Sequence, residues 1–270
     1  MFDDVAQRGL VLLGCGKMGS AMLEGWLAGG LPGGSVWVID PHPSDWLRGI
    51  AGLHLNADPP EHPAIALIAV KPQMMEAALP RLVPMGGGGT LVLSVAAGTP
   101  IRHYEDVLGE ETPVIRAMPN TPAAIGKGIT ALIGNRSSTE AHMGLAEALL
   151  AAIGQTVRLD NEGQIDAVTG VSGSGPAYVF HLIETLAAAG EAEGLPTELA
   201  MQLAVATVAG AGALAEASGE TPAQLRRNVT SPNGTTQAGL EVLMHETEGL
   251  AELMRRTVAA AAARSRELGR

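Results

Sequence analysis

The sequence predicts an α/β fold in which an N-terminal Rossmann-like, doubly wound parallel sheet is followed by an all-α C-terminal domain. Two observations support this prediction. Up to about residue 160, short apolar segments of strand length alternate with helical segments, which is typical of a parallel sheet covered by helices. Beyond about residue 164 the pattern becomes nearly continuous helix. The predicted domains are a dinucleotide-binding domain, residues 1–162, and a helical domain, residues 163–270.

The first strand and the segment that follows it carry the clearest motif. Residues 10–13 are apolar, residues 14–19 read GCGKMG, and a helix is expected from about residue 20. In a dinucleotide-binding motif, Gly14 permits the tight turn, Gly16 lets the backbone approach a pyrophosphate, and Gly19 allows close helix–strand packing. Such glycines also occur in purely structural turns. The flanking strand and helix favour a nicotinamide dinucleotide site.

A second strand, residues 36–39, ends at Asp40, which lies 21 residues after Gly19. This is close to the spacing of the carboxylate that binds a ribose 2′-hydroxyl in such sites. A carboxylate attracts a free 2′-hydroxyl and repels a 2′-phosphate, so Asp40 weakly favours NADH over NADPH. His42 and Arg48 follow closely and could offset that repulsion.

Four further strands are predicted at residues 65–70, 90–94, 114–117 and 129–133. Ligands of doubly wound sheets lie beyond the carboxyl ends of the strands, so the loops AVKP, VAAG and MPNTP are candidate sites. Three interpretations of Lys71 stay open: it is a proton donor, it contacts the cofactor, or it is a solvated lysine without a functional role. The two prolines of MPNTP fit a rigid structural turn as well as a ligand site.

The helical domain contains one unusually polar loop, NVTSPNGTTQAG, at residues 228–239. The hydroxyls of Ser231, Thr235 and Thr236, with the backbone around Gly234 and a helix after it, suit a small carboxylate. An ordinary helix N-cap is the alternative. The helices expected at residues 178–193, 198–216 and 250–268 are apolar on several faces, which predicts an obligate homo-oligomer.

Composition narrows the class of protein further. The formal net charge is −11 and no basic run is present, so we expect no nucleic-acid partner. The single cysteine excludes an internal disulfide framework, the histidines lack metal-ligand spacing, and no G-x-S-x-G elbow occurs, so we predict no metal and no hydrolase. No secretory signal is visible, and residues 199–215 are interpreted as a buried helix and not a membrane span. We expect a cytoplasmic protein.

Taken together, the motifs resemble the pyrroline-5-carboxylate reductase family over almost the whole chain. The shared motifs, in the family's order, are GCGKMG, AVKP, SVAAG, RAMPNTPA, DAVTGVSGSGPAYVF and NVTSPNGTTQAGL. The resemblance implies reduction of 1-pyrroline-5-carboxylate to L-proline, the last step of proline biosynthesis, by hydride transfer from NADPH or NADH. It also implies a homodimer through the helical domain, with a decamer as a larger assembly.

The resemblance assigns roles to particular residues. Thr236 would orient the imine, and the implied substrate contacts are Glu162, Ser231, Gly234, Thr235 and Thr236. The implied cofactor contacts are Gly14, Cys15, Gly16, Lys17, Met18, Gly19, Asp40, Pro41, Asn56, Ala69, Val70, Lys71, Pro72, Val95, Ala96 and Ala97, with Asn228 contributed by the partner subunit. Two residues depart from the family's pattern. Asn233 stands where glycine is common, and Asp40 replaces a small polar residue.

Two other classes of protein share part of this pattern. A different imine or β-hydroxyacid dehydrogenase would have the same nucleotide-binding domain and a helical partner, but it should lack the TSPNGTT loop. A nucleotide-sensing regulatory protein would bind the cofactor without turnover and should have a damaged substrate loop. The chain has the TSPNGTT loop, which argues against the related dehydrogenase, and it has Glu162, Thr235 and Thr236, which argue against the sensor.

Overall fold

The computed structural model describes residues 3–269, which form two compact units. The first unit contains residues 3–173 together with 261–269, and the second contains residues 174–260. The two units are separated where few residues contact each other, and the second unit begins at residue 174. The predicted domain boundary lies earlier, between residues 162 and 163, and it stays a prediction.

Within the described residues, the first unit is built on an eight-stranded sheet with the order β3-β2-β1-β4-β5-β6-β7-β8. The strands are β1 (Leu10–Leu13), β2 (Val36–Ile39), β3 (His54–Leu55), β4 (Ile65–Ile68), β5 (Leu91–Ser94), β6 (Val114–Met118), β7 (Gly128–Gly134) and β8 (Gly154–Arg158). All neighbours from β3 to β6 are parallel. The strand order reverses beside β1, which is the switch point where doubly wound sheets bind ligands.

The sheet differs from the sequence-based expectation at its edges. β7 runs antiparallel to β6, so the sheet is mixed and not wholly parallel. The connection between them, residues 119–127, is too short for the crossover that a parallel neighbour needs. β3 and β8 were not predicted, since β3 has two residues and β8 is an edge strand with several exposed positions.

Helices cover both faces of this sheet. They are α1 (Asp3–Arg8), α2 (Lys17–Ala28), α3 (Asp45–Gly49), α4 (Met75–Ala78), α5 (Ile101–Leu108), α6 (Glu140–Leu150) and α7 (Gln164–Val168). Side chains alternate along β1, so that Leu10 and Leu12 join the cluster under α2, whereas Val11 and Leu13 join the cluster under α5. Burial on both faces explains why the parallel strands read as continuous apolar runs.

The second unit is helical and has little core of its own. Its helices are α8 (Gly175–Ala192), α9 (Thr197–Ala217), α10 (Pro222–Asn228), α11 (Thr235–Leu243) and the first part of α12 (Leu250–Leu268). The buried cluster between α8 and α9 consists of Ala187, Ala200 and Ala204. Large apolar side chains remain exposed, among them Phe180 at 59% and Leu214 at 53%.

The apolar helix α9 is the one described helix with the length and composition to cross a membrane, which by itself is weak evidence of a span. Only 11% of its most apolar 18-residue segment is buried within the single chain. The sequence predicts that this helix is buried, whereas in the single chain it is largely exposed.

Trp26 provides a test of the packing beneath the nucleotide-binding motif. The Trp26 side chain is fully buried and its indole N–H donates to the Leu149 carbonyl at 2.8 Å. We expect Trp26→Phe to lower the free energy of unfolding by about 1–3 kcal/mol, because a buried acceptor loses its donor. Urea denaturation measures this loss. The matched change at the exposed Trp46 should stay within about 0.5 kcal/mol, and equal losses would contradict the assigned packing role.

Candidate functional site

The predicted cofactor loops meet at one edge of the sheet because the parallel strands end there. Main-chain hydrogen bonds join consecutive strand ends: Gly14 N–H donates to the Ile39 carbonyl at 2.9 Å, and Ala69 N–H donates to the Leu13 carbonyl at 2.8 Å. Val95 N–H continues the row to the Ile68 carbonyl at 3.0 Å. The structure therefore brings together residues 14–19, 40–41, 56, 69–72 and 95–97.

The three glycines of the GCGKMG loop occupy three different environments. Gly14 has φ +87°, a conformation that favours glycine, and a Cβ at Gly19 would lie 2.6 Å from the Gly14 carbonyl oxygen. A Cβ at Gly16 would meet no described atom within 4 Å. The protein's own packing therefore requires the first and third glycines, whereas Gly16, at the N-terminus of α2, keeps a cradle open for an approaching anion.

Asp40 ties this loop to the end of β2. Its Oδ2 accepts a hydrogen bond from Cys15 N–H at 2.8 Å, and its Oδ1 accepts one from His42 N–H at 2.8 Å. Burial raises the pKa of the Cys15 thiol, so that the side chain is a neutral thiol at pH 7. Lys17 and Met18 continue the loop into α2, with Lys17 exposed.

A buried hydroxyl pair supports the loop after β5. The Ser94 hydroxyl and the Tyr104 hydroxyl lie 2.6 Å apart, and Ser94 Oγ also accepts from Ala96 N–H at 3.2 Å. Burial raises the pKa of Tyr104, which keeps it protonated at neutral pH. On the neighbouring loop Lys71 is exposed, and Pro72 begins a short 3-10 turn. Tyr104 was not recognised from the sequence.

Glu162 has a structural role that sequence reasoning missed. Its Oε1 accepts from Ile101 N–H at 2.8 Å and from Arg116 Nη1 at 2.7 Å. It thereby caps α5, whose own N-cap residue, Pro100, has no polar side chain, and it neutralises an arginine side chain that is 9% exposed. The sequence did carry one sign of this ion pair, because an arginine within the apolar strand VIRAM needs a buried partner of opposite charge. The predicted substrate contact of Glu162 stays a prediction.

In the helical unit, Asn228 ends α10 and its carboxamide is oriented by two neighbours. Gln224 Nε2 donates to Asn228 Oδ1 at 2.6 Å, and Asn228 Nδ2 donates to Glu220 Oε2 at 2.9 Å. The amide is therefore held in one orientation at an exposed position. Its predicted contact with the cofactor of the partner subunit stays a prediction.

The polar loop that follows ends at the N-terminus of α11. Asn233 adopts φ +59°, as expected for a residue in a glycine position, and its N–H donates to Gln237 Oε1 at 2.8 Å. Gly234 is the N-cap of α11, and its N–H donates to the Ser231 carbonyl at 3.1 Å. Thr235 and Thr236 form the first turn, where main-chain N–H groups lack helical acceptors, and both are exposed.

These features define a class of protein. The sheet edge has the glycine loop of a nucleotide-binding site, and the separate helical unit has a helix that begins with hydroxyl side chains. This combination is typical of a dinucleotide-dependent oxidoreductase. In the part of the chain from residue 3 to residue 269, no group of three or more His, Cys, Asp or Glu side chains could hold a metal ion.

Comparison with known proteins identifies the family. Residues 162–268 match the model of pyrroline-5-carboxylate reductase dimerisation, and residues 9–98 match the model of NADP oxidoreductase, coenzyme F420-dependent. The pyrroline-5-carboxylate reductase of Pseudomonas aeruginosa is 39% identical over 265 residues, which cover 96% of each chain. The chain therefore belongs to the pyrroline-5-carboxylate reductase family.

Solved structures agree with this assignment. A pyrroline-5-carboxylate reductase from Coxiella burnetii is 31% identical, with a TM-score of 0.90 over 97% of this chain and 99% of that one. Pyrroline carboxylate reductase from Plasmodium falciparum, crystallised with NADP bound, is 26% identical with a TM-score of 0.83, covering 98% and 99% of the two chains. The predicted fold class is confirmed.

The Glu162–Arg116 pair provides a test of what holds the edge loops in place. We expect Glu162→Ala to lower the free energy of unfolding by about 2–4 kcal/mol, because it leaves a buried arginine without a counter-ion. Glu162→Gln should lose less, since an amide oxygen still accepts hydrogen bonds. Denaturant titration measures both. The control is Asp106→Ala, which removes an exposed pair 3.9 Å long with Arg102 and should cost about 0–1 kcal/mol. Equal effects at the two sites would contradict the assignment.

Proposed function

We propose that this chain reduces 1-pyrroline-5-carboxylate to L-proline with NADH or NADPH, as the last step of proline biosynthesis in the cytoplasm. The observation that carries the proposal is the near full-length relationship to a pyrroline-5-carboxylate reductase. The nucleotide-binding edge and the intact TSPNGTT loop support it, because a related dehydrogenase should lack that loop.

The residues at the sheet edge fit a nicotinamide dinucleotide. The N–H groups of residues 14–19 and the start of α2 would hold the pyrophosphate, and Asp40 would accept a ribose hydroxyl. The small Ala96 and Ala97, with Val95 and residues 69–72, would leave room for the nicotinamide ribose against the backbone. When bound, the reduced nicotinamide supplies the hydride that the imine carbon accepts.

The TSPNGTT loop would bind the other reactant. The first-turn N–H groups of α11, with Ser231, Gly234 and Thr235, suit the substrate carboxylate, because a helix N-terminus favours a negative charge. Thr236 would orient the ring nitrogen through one hydrogen bond, donating to the lone pair of a neutral imine or accepting from the N–H of an iminium. Glu162 would complete the substrate contacts. A threonine hydroxyl is too weak an acid to protonate the imine unaided. The substrate therefore enters as the iminium, or Thr236 relays a proton to it.

The protein's main contribution to the rate would be the positioning of two reactants. Holding them in reactive geometry replaces a bimolecular encounter, and effective molarities of about 10⁵ M or more are known for well-oriented pairs. No covalent nucleophile is required.

The exposed apolar surface of the helical unit supports a homodimer. A core of three alanines leaves large side chains such as Phe180 and Leu214 uncovered, and burying them would stabilise the unit by about 25 cal/mol per Å². Pairing through this unit would cover α9 and bring Asn228 of the partner subunit to the cofactor. Decamer formation remains part of the proposal.

The reaction itself is tested by incubating the purified protein with 1-pyrroline-5-carboxylate and either NADH or NADPH. Loss of reduced-nicotinamide absorbance, with proline as the product, would support the proposal and rank the two cofactors. Dinucleotide binding without turnover would instead favour the sensor or the related dehydrogenase.

Thr236→Ala tests the orienting role of the hydroxyl. We expect kcat to fall by about tenfold to a hundredfold, the range for losing one hydrogen bond to a charged group, with the Kd for dinucleotide unchanged. Steady-state kinetics and fluorescence titration measure the two quantities. Thr236→Ser should restore much of kcat, and the exposed Thr247→Ala is the control. A parallel loss of turnover and dinucleotide binding would remove the role.

Asp40→Ser tests the carboxylate as the discriminator between cofactors. Removing the negative charge should shift the ratio of the two dissociation constants toward NADPH by about tenfold or more, equivalent to about 1.4 kcal/mol. Titration of each dinucleotide with the variant measures this ratio. If the ratio does not move, the 2′-substituent is read elsewhere.

A further inference from the structure

A short bridge connects the end of β3 to the end of β2. Asn56, the residue after β3, has φ +53°, a left-handed conformation that asparagine tolerates better than most residues. Its N–H donates to the Val38 carbonyl at 2.8 Å. The side chain is exposed, so burial does not determine its position.

The Asn56 carboxamide makes two hydrogen bonds with the main chain of one residue. Its Oδ1 accepts from Asp40 N–H at 2.9 Å, and its Nδ2 donates to the Asp40 carbonyl at 2.8 Å. A side chain thus pairs with both main-chain groups of Asp40, as a neighbouring strand would, beyond the point where β3 ends. The backbone at Asp40 is thereby fixed by Asn56.

The Asp40 carboxylate is fixed as well, through the contacts with Cys15 and His42 described above. Each of its oxygens already accepts one main-chain hydrogen bond, which prevents the group from rotating away. A carboxylate has about four lone-pair positions, so acceptor capacity remains for a ribose hydroxyl. Asn56 holds the main chain of Asp40, and the position of that main chain determines the position of the Asp40 carboxylate.

We propose that Asn56 is a positioning residue for cofactor choice, acting through Asp40 and not chiefly through its own contact with the dinucleotide. The inference rests on the proposed function, since it requires a dinucleotide at this edge. A carboxylate held from both sides cannot withdraw from a 2′-phosphate, whereas one on a loosened backbone can. Loss of the Asn56 side chain therefore weakens the discrimination against NADPH.

The test uses dissociation constants for NADH and NADPH, measured by fluorescence titration of the full chain without substrate. Asn56→Gly removes the carboxamide and still accommodates the left-handed backbone. We expect the ratio of the NADPH constant to the NADH constant to fall by about threefold to tenfold, the equivalent of about one hydrogen bond. Ala57→Gly, at the exposed adjacent position, controls for added flexibility and should leave the ratio unchanged.

A double-mutant cycle separates the two routes by which Asn56 could act. If it acts through Asp40, then Asn56→Gly should not change the ratio further in an Asp40→Ser background. The proposal is overturned if Asn56→Gly weakens both dinucleotides equally, if its effect on the ratio adds fully to that of Asp40→Ser, or if Ala57→Gly has the same effect. Failure of the unaltered chain to bind either dinucleotide would overturn the proposed function too, so the two failures are distinguishable.

Discussion

The functional edge depends on one constraint, the parallel alignment of the strands from β3 to β6. Because these strands run in one direction, the residues that follow them emerge side by side, and main-chain hydrogen bonds join the first residue of a loop to the end of the neighbouring strand. Glycines at residues 14 and 19 permit the turn and the close approach of α2 that the alignment requires. Asp40, at the end of β2, accepts a hydrogen bond from Cys15 N–H, so the proposed pyrophosphate loop is directly joined to the carboxylate proposed to bind the ribose.

The second unit differs from the first in how little of its apolar surface it buries within one chain. Its helices are long and apolar, yet its buried cluster consists of three alanines, so large apolar side chains such as Phe180 and Leu214 stay exposed on the single chain. The polar loop at the start of α11 lies in this same unit. Exposure of α9 is therefore the expected property of a single chain from a family whose dimerisation segment begins at residue 162.

The sequence predicted most of the sheet because apolar runs, glycines and a terminal aspartate are local signals. It did not predict β3, which is too short for a periodic pattern, or the antiparallel β7, whose direction follows from a short connection. The contacts of Glu162 with Arg116 and of Asn56 with Asp40 were also missed. They join residues 46 and 16 positions apart, and periodicity carries no information about such pairs. The helix expected after the polar loop is present as α11, which begins at Thr235. The substrate contacts assigned to that loop stay a prediction.

We propose that a dinucleotide at the sheet edge delivers hydride to a cyclic imine that Thr236 orients. The most direct measurement supplies NADH deuterated at the transferable C4 position, together with 1-pyrroline-5-carboxylate, and analyses the product by mass spectrometry. We expect proline that carries one deuterium on the former imine carbon, formed by the unaltered chain and strongly reduced by Thr236→Ala. Proline without the label, or no proline from a chain that binds the dinucleotide, would contradict the claim.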